Sequence, residues 1–118
     1  HSLGAATAEI VGARRNVRAF GFEPPGLVFS QRNFAINGGI QAVHSTSATV
    51  LRDNDPVVYI DKQGGSSQHV TCPAGLYSMY CHYLHPITCH LAAQCPLSEG
   101  VSSRFEPWGG ITGYCKTS

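Results

Sequence analysis

Short apolar runs, each broken within a few residues by a turn signal, set the pattern from Val17 to the end of the chain. In residues 17–23, VRAFGFE, the positions Val17, Ala19 and Gly21 alternate with Arg18, Phe20 and Phe22, which predicts a strand stopped by Pro24 and Pro25. GLVFS (26–30) reads as a second short strand. RNFAI (32–36) runs into Asn37–Gly38, a strong hairpin signal, and GIQAVHS (39–45) reads as the returning strand. SATVLR (47–52) has strand-type residues, the run Asp53, Asn54, Asp55, Pro56 predicts a turn, and VVYID (57–61) gives the clearest strand pattern of all. KQGGSS (62–67) reads as a loop and residues 68–72 as a further strand. Residues 76–84 are apolar on both faces, as in a strand buried on two sides. Residues 87–93 fit a strand or a helical turn. Residues 101–105 and 110–115 complete the set as strands. Roughly nine or ten short strands at this spacing predict an all-β fold, a small β-sandwich.

Residues 1–15 break the pattern. They lack aromatic side chains, are rich in Ala and Gly, and suit a short helix over 5–11 bracketed by Gly4 and Gly12. The arm ends in Arg14–Arg15. One reading is a pro-segment cut at a dibasic site, and the other is an ordinary arm with two solvated arginines. The domain organisation expected is therefore an arm over 1–15 and a single β-sandwich over 16–118.

Composition narrows the function classes. Of 118 residues 42% are apolar and 13% charged, which excludes an intrinsically disordered chain. A net charge of +1 with scattered basic residues gives no footprint for nucleic acid, and no apolar run is long enough to enter a bilayer. The five cysteines, Cys72, Cys81, Cys89, Cys95 and Cys115, all lie in the last 47 positions. Such density predicts disulfides formed in an oxidising compartment and hence a secreted protein. Five is odd, so one thiol is left over, and the pairing of the other four stays open. The leftover thiol raises the hypothesis of an intermolecular disulfide to a second protein.

Chemistry leaves weaker traces. His82, His85, Cys89 and His90 fall within nine residues, but no C-x-x-C pair accompanies them, and disulfides are the better use of the cysteines. No metal or cofactor is expected, with a zinc-stabilised binding module as the third alternative. For acid–base catalysis of the ribonuclease kind, His44, His69, His82, His85 and His90 offer bases, Glu99 and Glu106 carboxylates, and Arg104 a cation. Arg104 and Glu106 would share one face of a strand over 104–106. No G-x-S-x-G elbow occurs, and no cysteine sits in a protease signature. Trp108, in a glycine- and proline-flanked loop, reads equally as a binding anchor or as a lid on the core. The loops 53–56, with Asp53, Asn54 and Asp55, and 62–67 likewise read as contact loops or as plain connectors.

The Ala13-Arg14-Arg15 boundary, the domain of about a hundred residues after it, the few cysteines and the β pattern resemble secreted effectors of plant-pathogenic fungi. Within that class the layout is similar to the ToxA-like β-sandwich and secreted-in-xylem proteins. The resemblance implies a non-enzymatic protein acting outside the fungal cell, in apoplast or xylem, by binding a host protein or a companion effector. The alternative is a small secreted hydrolase, ribonuclease-like or cell-wall-active, using His and Glu.

Overall fold

A computed structural model describes residues 1–72, 79–95, 103–108 and 110–116. The chain divides into two compact units, residues 1–82 and 83–118. About 54% of the described residues are helical and 15% are strand, so the all-β sandwich expected from the sequence is overturned.

The first unit begins with helix α1, Ser2–Arg15. Alanine is the best helix former, and Ala5, Ala6, Glu9, Gly12 and Ala13 recur at helical spacing to make the buried face. Arg14 and Arg15 sit in the last turn, where positive charge suits the helix dipole, and Asn16 ends the helix in the left-handed conformation (φ 54°). The arm is thus an integral helix packed on strand β1 (Ala19–Phe22) and on helix α2 (Gly39–Thr46). Two glycines allow that approach. A Cβ on Gly12 would lie 2.7 Å from the Val17 carbonyl oxygen, and one on Gly21 would lie 2.8 Å from Glu9 Oε1 and 3.1 Å from Ala5 Cβ.

Strand β2 (Ser47–Arg52) starts where α2 ends, and β3 is Ser66–Val70. The three strands form one parallel sheet in the order β1-β2-β3, with Ala19 opposite Ser47 and Ala48 opposite Ser66. Ala6 and Ala13 of α1, Val43 of α2, and Leu27 and Ile36 from the segment between β1 and α2 form a core cluster, with Ile10 and Ala42 against it. Parallel strands require crossovers, so Asn37–Gly38 closes no hairpin. Gly38 is instead the N-cap of α2, with Gly39 at φ +55°. Residues 26–30 form no strand, and residues 31–34 and 57–59 make 3₁₀ turns. The second of these starts where the Asp55 side chain accepts the Val57 N–H at 2.8 Å, which commits a β-branched run to a turn. The expected central strand over 76–84 is corrected as well: Met79–His82 is a 3₁₀ helix. Residues 76–78 of that expectation lie outside the described residues, and Leu84 begins the next helix.

The second unit contains helix α3 (Leu84–Gln94), a 3₁₀ helix over Ser103–Trp108 and helix α4 (Gly110–Lys116). Pro86 is tolerated in the first turn of α3, where its missing N–H would have no partner. The Cys89–Cys115 disulfide ties α3 to α4, and the His85 Nε2–H donates to the Tyr114 carbonyl at 2.9 Å. The strands expected over 104–106 and 110–115 are helical turns, so Arg104 and Glu106 do not share a strand face. Among the described residues, no helix is long and apolar enough to cross a membrane.

Candidate functional site

Three buried or half-buried side chains from distant parts of the chain converge in the first unit. Asp55 follows β2 in the turn that holds Asn54 at φ 69°, and its side chain is fully buried. His82 lies 27 residues later, beyond β3, and Ser2 opens α1. The His82 ring spans the other two: Nδ1 is 2.8 Å from Asp55 Oδ2, and Nε2 is 2.8 Å from Ser2 Oγ. An ionised carboxylate only accepts, so Nδ1 carries the proton and Nε2 offers its lone pair to the Ser2 hydroxyl. Asp55 is itself held by the Val57 N–H on Oδ1. A hydroxyl, an imidazole and a buried carboxylate are therefore joined end to end with the polarity of a Ser-His-Asp triad.

Local structure supports each member. Ser2 sits at φ 55°, a conformation that costs a non-glycine residue free energy and that clusters at functional sites. It stands at the start of a 14-residue helix, whose first-turn amides lack partners within the helix. His82 follows Cys81, which is fully buried and bonded to Cys72 just beyond β3. The disulfide therefore ties His82 to the end of the sheet.

A second layer lies beside the triad. His1 Nε2 is 2.8 Å from the His82 carbonyl and 3.1 Å from Glu23 Oε2. Glu23 has no solvent exposure, and burial, with the nearby Asp55 charge, pushes its pKa up to about 8 against the pull of Arg52. Among the described residues, His1, Glu23 and His82 are also a group with ligand atoms close enough to hold a metal, within 4.8 Å of one another. His82 already uses both ring nitrogens, so an ion there would break its bond to Ser2 or to Asp55.

Other expected residues fall elsewhere. Asp53 accepts from exposed His69 at 3.1 Å, and Asn54 shapes the turn, but Asp55 is no surface contact. Cys72–Cys81 and Cys89–Cys115 are disulfides and Cys95 is the exposed free thiol. Cys89 is thus no thiolate ligand for His85 and His90. Arg14 and Arg15 are exposed at the end of α1. Trp108 ends a 3₁₀ helix, its side chain outside the described part of the structure, and Glu99 lies outside it altogether. Sequence reasoning passed over Ser2. No local signal singles it out, since a serine followed two positions later by glycine recurs at Ser98–Gly100. No family model, curated protein or solved structure matches this chain.

Proposed function

We propose that this chain carries the catalytic centre of a serine hydrolase acting on ester or related acyl substrates. The observation that carries the reading is the continuous Ser2–His82–Asp55 hydrogen-bonded chain, at 2.8 Å for both links. Ser2 Oγ attacks the acyl carbon while His82 Nε2 takes its proton. The imidazolium formed is stabilised by Asp55 and then protonates the leaving group. Water activated by the same nitrogen releases the acid and restores Ser2. The Leu3 N–H, which follows the nucleophile at the positive end of α1, is the amide that such elbows turn towards the oxyanion.

Chain order and topology support the reading. Ser, then Asp, then His, with Asp and His after successive parallel strands, is the order in which α/β-hydrolases carry the triad. Ligand sites in open parallel sheets lie beyond the carboxyl ends of the strands, where Asp55 and Glu23 stand. A host-binding effector would use the 53–56 turn as a contact surface, but that turn commits Asp55 to His82. The hydrolase alternative therefore takes precedence, with serine as nucleophile in place of the His and Glu pair. Two disulfides support folding in an oxidising compartment outside the cytosol.

A rhodamine-tagged fluorophosphonate, which reacts with activated serines, tests the reading. Labelling at Ser2, located by peptide mass spectrometry, is expected, with complete loss in Ser2→Ala and a slowing of about 10⁴-fold in Asp55→Asn. Absence of labelling in a folded chain, or labelling at another residue, overturns it.

A further inference from the structure

We propose that His1 and Glu23 are positioning residues for His82, the His1 imidazole pinning the backbone of the general base while Ser2 and Asp55 hold its ring. The proposal rests on the serine-hydrolase reading. Its geometry is separate from the triad. A carbonyl oxygen only accepts, so the 2.8 Å approach of His1 Nε2 to the His82 oxygen requires a proton on that nitrogen. The same N–H lies 3.1 Å from Glu23 Oε2, which accepts it in a three-centre bond. The tautomer of His1 is thereby set by the two acceptors. The two imidazole rings also lie against each other, centroids 5.0 Å apart and tilted by 36°. Consecutive residues, His1 and Ser2, thus grip the backbone and the ring of the same histidine.

Glu23 shows that this arrangement is built rather than incidental. It follows β1 at φ 52°, a conformation unfavourable for a glutamate, and its N–H donates to the Val50 carbonyl at 2.9 Å. Its carboxyl is fully buried, and Oε1 has no hydrogen-bond partner among the described residues, a cost to the fold of the kind that functional groups carry. The ionisable groups that face it are the His1 ring and amino group at the N-cap of α1, Arg52 at the end of β2, Asp55 in the turn after it and His82 in the 3₁₀ helix over Met79–His82. Arg52 is itself buried, with Nε and Nη1 unbonded among the described residues.

The test is the fluorophosphonate labelling rate at Ser2 from pH 5 to 10, with thermal midpoints measured in parallel. His1→Leu removes the donor at similar volume, and His1→Gln returns an N–H at the same reach. A displaced general base is expected to slow labelling by about 10- to 100-fold in His1→Leu, with most of the rate recovered in His1→Gln. Wild-type protein should show an inflection near pH 8 that Glu23→Gln abolishes, since the buried carboxyl ionises there. A purely structural role would lower the thermal midpoint without moving that inflection. Wild-type rate and pH profile in His1→Leu, equal losses in His1→Leu and His1→Gln, or an unchanged inflection in Glu23→Gln would each overturn the proposal. Failure of the hydrolase reading looks different: wild-type protein itself would not label at Ser2.

Discussion

A carboxyl group without solvent must be answered by a proton, a counter-charge or hydrogen bonds, and the acidic residues of the first unit meet that demand differently. Asp55 is answered by the His82 ring and the Val57 N–H, and Asp61, more exposed, by the Phe29 and Ser30 N–H groups and the Ser30 hydroxyl, which hold it below the usual range. Glu9 keeps a proton: burial pushes it up to about 7, against a partial pull from the Ser47 hydroxyl. Glu9 and Glu23 both bind protons more tightly folded than unfolded, so their contribution to stability is full below about pH 4.5. It is lost as pH rises through about 7 for Glu9 and about 8 for Glu23. The thermal midpoint is therefore expected to fall between pH 5 and pH 8.5. Glu9→Gln, which mimics the protonated group, should be more stable than wild type at pH 8.5 by on the order of 2–3 kcal/mol and flatten that slope. A wild-type midpoint that rises over this range would contradict the assignment.

At the scale of elements, two devices place the triad. The first is the close seat of α1 on β1, made by glycine at positions 12 and 21. Gly21→Ala would drive a methyl against Ala5 and the Glu9 carboxyl, so a loss of about 1–3 kcal/mol by denaturant titration is expected. Because α1 carries Ser2, labelling should slow even where the variant remains folded. The second device is Cys72–Cys81, which closes a loop of 9 residues' separation and ends beside His82. By chain entropy it stabilises by roughly 2–3 kcal/mol. Replacing both cysteines by alanine should lower the midpoint accordingly and lower labelling more than the lost stability explains. Unchanged labelling in that variant would mean that His82 is held without the disulfide.

For the whole molecule, the cysteine inventory yields a direct check. Cys95 is exposed and free while the other four sulfurs are paired. Native protein treated with iodoacetamide should take up one label per chain, and reduced, denatured protein five. More than one label without reductant would contradict the pairing. The parallel sheet shows Phe20 and Phe22 to solvent on one face, with Phe20 71% exposed. Such sheets are ordinarily covered on both faces. The alternation in residues 17–23 was therefore a true strand signal in an unusual setting, because burial in β1 falls on Ala19 and Gly21 instead of on the aromatics.

Much of the local grammar was legible in the chain itself. The strands at 47–52 and near 66–70, the turn at 53–56, the helix-forming arm and a disulfide pattern with one thiol to spare all follow from residue type and spacing, which act over a few positions. Helix or strand at 26–30, 39–45, 57–61 and 110–115 did not follow, because short apolar runs suit either and tertiary packing chose. Direction of pairing was equally hidden: only a parallel sheet turns Asn37–Gly38 from a hairpin into a helix start. The triad was the least legible part. A serine, an aspartate and a histidine separated by 53 and 27 positions carry no local period, and they meet because α1, β2 and the Cys72–Cys81 staple bring their carriers together. The sequence by itself determined which residues were present to do chemistry and how the chain would turn. The tertiary structure decided which of six histidines meets both a buried aspartate and a serine, because hydrogen-bond geometry exists only between side chains that folding has made neighbours.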